Sequence, residues 1–173
     1  MEASCKTLKL SLGHIRIEGD LVLSELAISG TDVQFSVDGL GGANRLAIKA
    51  MISPADFAEL VSSRLSESLE SSSVELQEEC FVIRGKKRKI IGIPVEVQCH
   101  LRVLDQRYIH IDLSKGEAFG IGIQGLVKPI EDQMNPVFDA AILPFPVSIA
   151  SVSVSRQGLE ITGFAGPLIK FGT

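Results

Sequence analysis

Strict alternation of apolar and polar positions dominates the first fifty residues. Leu8, Leu10 and Leu12 alternate with Lys9 and Ser11, Ile15 and Ile17 enclose Arg16, and Val33, Phe35 and Val37 are separated by Gln34 and Ser36. A two-residue period puts one set of side chains on a buried face and the other in water, which predicts half-buried strands. Gly13, Gly19-Asp20 and Gly30 punctuate the run and are read as turns. The pattern returns near the C-terminus, where Val152 and Val154 lie among Ser151, Ser153 and Ser155, followed by a Gln157-Gly158 turn and then Leu159 and Ile161. Connections this short join antiparallel neighbours and leave no room for crossover helices.

From Ser53 to Ser71 the period changes. Ser53 is a suitable N-cap, Pro54 fits the first helical position, and Asp56 stands where a capping box places its acid. Phe57, Leu60, Val61, Leu65 and Leu69 then recur at helical spacing, with Asp56, Glu59, Ser63, Glu67 and Glu70 between them. A second, shorter helix is predicted from about Pro129 to Leu143, broken or restarted at Pro136. Leu143-Pro144-Phe145-Pro146 forces an extended segment, because proline disfavours helix in the residue before it. The approaches to the two helices look alike. Ile48 to Pro54 lines up with Ile123 to Pro129, and Asp56 with Glu131, which the N-terminal helix dipole favours. Residues 1–173 are therefore read as a single domain with two weakly similar βββα halves.

The middle, Val74 to Leu113, reads as long strands. Val82-Ile83-Arg84 and Ile90-Ile91 flank a basic turn, Gly85 to Lys89. In the next hairpin Val95, Val97, Cys99, Leu101 and Val103 share a face. Placing Ile109, Ile111 and Leu113 on that face requires Val103 opposite Ile109, hence a loop at Asp105-Gln106-Arg107. About nine strands spaced about 4.8 Å make a sheet on the order of 40 Å wide, and a helix covers a strip about 10 Å across. Two helices cannot hide that apolar face. The sheet must roll up, pair with another subunit, or enclose an apolar ligand. The expected fold class is α+β, a highly curved antiparallel sheet wrapped around one long and one shorter, broken helix.

Composition narrows the function. The chain has 173 residues, 45% of them hydrophobic and 22% charged, as folded domains do. A net charge of −4 argues against broad capture of nucleic acid. Aromatic residues make up 5%, with no Trp and one Tyr, so platforms for stacking bases or sugars are scarce. Leu, Ile and Val suit hydrocarbon instead. The three cysteines, Cys5, Cys80 and Cys99, form no CxxC and leave one over, so they read as small core hydrophobes. No apolar h-region opens the chain and no run approaches the roughly 18 residues of a membrane span, which predicts a soluble, cytoplasmic protein as the sequence stands.

Strands, an X-Pro step into an amphipathic helix, hairpins, and then the run Asn135-Pro136-Val137-Phe138-Asp139-Ala140-Ala141-Ile142-Leu143-Pro144-Phe145-Pro146-Val147-Ser148-Ile149 resemble the LmeA-like phospholipid-binding family. Val147 to Gly163 is similar to that family's closing hairpin, and the resemblance spans about Gly19 to Gly163. It implies a tubular lipid-binding, BPI-like architecture, phospholipid as ligand and no catalytic residues to carry over. It also implies work in the cell envelope, through a signal or anchor that this chain does not show.

With that resemblance, Phe57, Leu60, Val61, Leu65 and Leu69 become cleft lining as well as core, and Phe138, Ile142 and Phe145 a movable rim. Lys86, Lys87, Arg88 and Lys89 form a cationic tip able to meet anionic headgroups, each worth about 1 kcal/mol near such a surface; a solvated turn is the plainer role. His100 should face Asp112 and His110 should face Arg102 on the outer surface, where no metal site is expected. Gly39-Leu40-Gly41-Gly42 is read as a flexible loop. No GxSxG, HExxH or P-loop is present, and no cofactor is expected. The function expected is non-catalytic binding or transfer of lipid, phospholipid or fatty acyl chains, in an aliphatic cleft between sheet and helices, with a lipid or membrane surface as partner. The alternative is a structural interaction module that homodimerises through its apolar strip. An esterase acting on the bound lipid lacks a nucleophile–base pair.

Overall fold

The computed structural model describes residues 3–17, 21–36, 39–42, 46–87, 94–118, 124–143, 145–166 and 168–170. The opening alternation forms a long hairpin, β1 (Ala3–Arg16) with β2 (Val22–Ser36), paired from Ala3↔Phe35 to Arg16↔Val22. Gly13 and Gly30 lie inside these strands and are not turns. The residues that break the ladder are His14 (φ 57°) and Asp32 (φ 51°), which fall where the register omits a pair. At those two points the buried set changes parity, from Leu21 and Leu23 to Leu26 and Ile28, and then to Val33. The one-residue slip between Leu12 and Ile15 in the sequence is thus a change of face within one strand. At Gly30 a Cβ would press on Leu46 Cδ2, so a larger residue there would require the buried Leu46 side chain to shift.

β3 (Gly39–Gly42) is a short strand where a flexible loop was expected, because pairing with Val33 to Ser36 of β2 on one side and with a later strand on the other holds it extended. β4 (Leu46–Ile52) also pairs with β2, leading into α1 (Pro54–Leu65). Ser53 accepts from the Asp56 N–H at 3.1 Å, as the capping pattern predicts. The helix ends at Leu65, short of Ser71. Ser63 and Ser66 turn their hydroxyls onto the carbonyls of Leu60 and Ser63, offering the backbone an alternative to continued helix. Leu69 therefore opens a strand, although it stays buried.

A second meander follows: β5 (Leu69–Leu76), β6 (Phe81–Lys87), β7 (Pro94–Leu104) and β8 (Tyr108–Ala118). Val103 lies opposite Ile109, around a turn at Asp105 to Arg107 in which Asp105 and Gln106 are left-handed. The second helix, α2 (Gln124–Met134), begins earlier than the pattern suggested and carries Pro129 inside it. It stops before Pro136, and the chain resumes as β9 (Phe138–Asp139) and a single 3-10 turn, Ala140–Ile142. β10 (Val147–Ser155), β11 (Gly158–Ala165) and β12 (Leu168–Lys170) close the fold.

The strands divide between two sheets. One has the order β10-β11-β4-β2-β3-β12, with β1 on the other edge of β2; the second is β5-β6-β7-β8-β9. Register shifts within β5–β6, β7–β8 and β10–β11 add to the two hairpin kinks. Such bulges bend a strand and increase its twist, and here they accompany a strongly curled sheet. α1 packs on β5, α2, β11 and β2. Phe57 meets Phe81 of β6 edge-to-face at 4.9 Å, and both rings are fully buried. Among the described residues no polar or charged residue is buried.

Candidate functional site

Phe57, Leu60, Val61 and Leu65 project from one face of α1 and are almost wholly enclosed. Leu69 at the start of β5 and Phe138 in β9 join the same apolar cluster, and the half-buried Ile142 and Phe145 pack against it. All eight positions singled out as cleft lining therefore meet in one continuous apolar body, closed to solvent at α1. Of the cationic run, Lys86 is exposed near the end of β6 and Lys87 is that strand's last residue. Arg88 and Lys89 lie outside the described residues.

The apolar face opens at the other end of the first sheet. Register places Leu10, Ile28, Ile48, Gly163 and Ile149 in one row across β1, β2, β4, β11 and β10, and Leu12, Leu26, Ala50 and Ile161 in the next. Inner members of these rows are 1–8% exposed, whereas Leu10 is 39% and Leu12 42% exposed. The helices cover the middle of the sheet and not its β1 edge. The alternation marked these leucines as one face of a strand; it carried no information that this strand would be an edge.

Two surface grooves accompany this arrangement. The first, about 550 Å³, lies on the outer face of the same strands. Its floor is small (Ala27, Ser29 and Ala47), with Lys9, Lys49 and the 42%-exposed Phe164 around it. Lys49 is paired with Glu160 at 2.7 Å. The second groove, about 450 Å³, lies between the β7–β8 tip and the proline-marked segment, lined by Arg107, Ala141, Leu143, Phe145 and Pro146 among others.

That proline-marked segment, read from sequence as a rim, is tied down at several points. Arg107 grips Asp139 with two hydrogen bonds, at 2.7 and 2.8 Å, and lies over the Tyr108 ring at 4.7 Å. Asp139 Oδ1 also accepts from the Ala141 N–H. The guanidinium, followed by that backbone bond, holds the Asp139 carboxyl down at about 2. The Ala140 N–H donates to Arg107 O and the Ile149 N–H to Gln106 O, joining the hairpin tip to β10.

Other candidate chemistry is occupied structurally. His100 lies opposite Asp112 and His110 opposite Arg102, as the register required. Asp112 is engaged by Arg102 at 2.7 Å, and His100 Nδ1 is hydrogen-bonded with Glu79 O at 3.0 Å. Among the described residues no group of three or more His, Cys, Asp or Glu is placed to hold a metal ion. Cys80 and Cys99 are buried free thiols, and burial pushes the Cys99 thiol up to about 12, far from the thiolate that nucleophilic chemistry needs.

Sequence reasoning missed the residues that organise the segment after α2. Arg64 Nη1 donates to Met134 O at 3.0 Å and Pro136 O at 2.8 Å, while Nη2 donates to Val137 O at 3.1 Å. Asn135 uses its carboxamide as a strand residue would use its peptide group. It accepts from the Ile111 N–H at 2.7 Å and donates to Ile111 O at 3.1 Å. Neither role leaves a local pattern, because each partner is far away in sequence.

Comparison with known proteins gives one finding of family rank. A family model described as LmeA-like phospholipid-binding matches residues 9–164 of the chain. No curated protein and no solved structure gives a match. Among the described residues no helix is long and apolar enough to cross a membrane.

Proposed function

Because the chain belongs to the LmeA-like phospholipid-binding family, we propose that it binds phospholipid non-catalytically, laying acyl chains along the inner face of the first sheet against α1. One observation carries the reading. The apolar rows run without polar interruption from β11, on which α1 packs, across β4 and β2 to the exposed Leu10 and Leu12 of β1, so the sheet presents more apolar surface than its helices cover. Hydrocarbon complements such a surface through desolvation alone, at about 0.8 kcal/mol for each buried CH₂. Phe57, Leu60, Val61, Leu65 and Leu69 form the deep wall in this reading, and Phe138, Ile142 and Phe145 its outer end. Lys86, with Lys87, Arg88 and Lys89 beyond it, meets the anionic headgroup or the membrane from which the lipid is drawn. The protein then acts as a carrier, taking lipid up and releasing it unchanged.

Mass spectrometry tests this, first on the native protein and then on its organic-solvent extract. Stoichiometric phospholipid or fatty acid is expected, together with uptake from vesicles by the delipidated protein. A protein that is empty as purified and takes up nothing from vesicles sinks the reading. Turnover of generic esters, abolished by one Ser or Cys substitution, would overturn its non-catalytic part.

A further inference from the structure

β1 is fourteen residues long and pairs with β2 along one edge; among the described residues no strand occupies the other. A long free edge without proline is a template for strand addition. Here the edge also carries Leu10 and Leu12, two of the three exposed large hydrophobics among the described residues. We infer that this edge pairs antiparallel with β1 of a second copy, with Leu10 on the two-fold axis, to form a homodimer.

The strand is self-complementary in that register. Leu10 meets Leu10, Leu8 meets Leu12, and the half-buried Cys5 meets the half-buried Ile15, so every inner-face apolar residue finds an apolar partner. On the outer face Lys9 lies across from Ser11, whose hydroxyl already donates to Glu25 Oε1 at 2.9 Å. A carboxylate therefore stands within reach of the incoming lysine.

The kinks agree as well. The β1–β2 ladder omits Lys6 against Asp32 and His14 against Ser24. The same dimer register sets Lys6 against His14, so both irregular positions fall on one pair. Neighbouring registers fail. Centring on Lys9 places two lysines face to face, and centring on Ser11 sets Lys6 against Arg16; like charges directly opposite are destabilising. Half-steps between these would pair inner-face with outer-face residues. Pairing at Leu10 joins the two inner faces into one apolar surface, so it is compatible with lipid binding without depending on it.

The test uses delipidated full-length protein, whose outcome is separate from whether lipid is found in it. Sedimentation velocity should show a dimer for the wild type. Leu10→Lys, which sets two cations on the axis, should give a monomer with an unchanged circular-dichroism spectrum. Should that variant misfold, Leu10→Cys in a Cys5→Ser background decides: directly opposed antiparallel residues have Cα atoms about 4.5–5.5 Å apart, within the range a disulfide spans, so a reducible disulfide-linked dimer is expected. Leu8→Cys and Leu12→Cys, each displaced from its own copy, should not cross-link. A wild type that remains monomeric as concentration rises, a dimer untouched by Leu10→Lys, or cross-linking as efficient at Leu8 as at Leu10 would overturn the inference.

Discussion

Single residues decide where this chain bends and where it responds to pH. Gly158 opens β11 at φ 133°, where a Cβ would strike the Ile52 carbonyl oxygen. Gly158→Ala is expected to destabilise the fold by about 1–3 kcal/mol, read as a lowered urea midpoint. The Asp139 carboxyl is held at about 2 in the folded state, below the roughly 3.9 of an unfolded chain. Its contribution is therefore complete above the unfolded value and is lost as pH falls from about 4 through about 2. Asp139→Asn should flatten the acid limb of the stability–pH curve in that window; parallel limbs for the two proteins would show that the Arg107–Asp139 pair is silent. Not all such residues can be read locally. Glycine at a hairpin announced Gly158, although the turn itself is Arg156-Gln157. His14 and Asp32 sit where the alternation slips by one residue, but a slip alone reads equally as a turn between two strands, so it does not mark a left-handed residue inside one strand.

At the scale of elements, periodicity was legible where burial of one face enforces it. The β7–β8 register, the start of α1 and the closing hairpin all follow from that constraint. Helix ends were not legible in the same way. The serine run after Leu65 keeps a helical spacing of leucines, yet its hydroxyls compete for the backbone and Leu69 is buried from a strand. The segment after α2 depends on Arg64, whose partners lie some seventy positions away. A charged donor to carbonyls contributes about 1.5–3 kcal/mol. Arg64→Met, which retains the aliphatic stem, should therefore destabilise by about 2 kcal/mol. Hydrogen exchange should then rise first around residues 134–137, whereas an increase spread evenly over α1 would assign Arg64 to helix packing instead.

For the whole molecule, the width of the apolar face against two narrow helices was the useful inference from sequence, and the structure locates the uncovered part at β1. The division into two sheets was not foreseeable, since strand order depends on contacts between distant segments. Ala50 is the smallest side chain in its row, between Leu26 and Ile161. If that row floors the lipid site, Ala50→Phe should leave the protein folded and lower its lipid content several-fold in solvent extracts. Undiminished lipid would move the site elsewhere on the sheet.

The pairing of β4 with β11, from Ile52↔Leu159 to Leu46↔Ala165, carries a consequence for biosynthesis. A growing chain would form β1, β2 and β4 early and leave the far edge of β4, with the greasy face beside it, without its neighbour until β11 is made about a hundred residues later. Contacts so distant in sequence form slowly and leave such intermediates prone to clump. The nascent chain should therefore need shelter during translation, and the stretch ending in β11 is what releases it from that need.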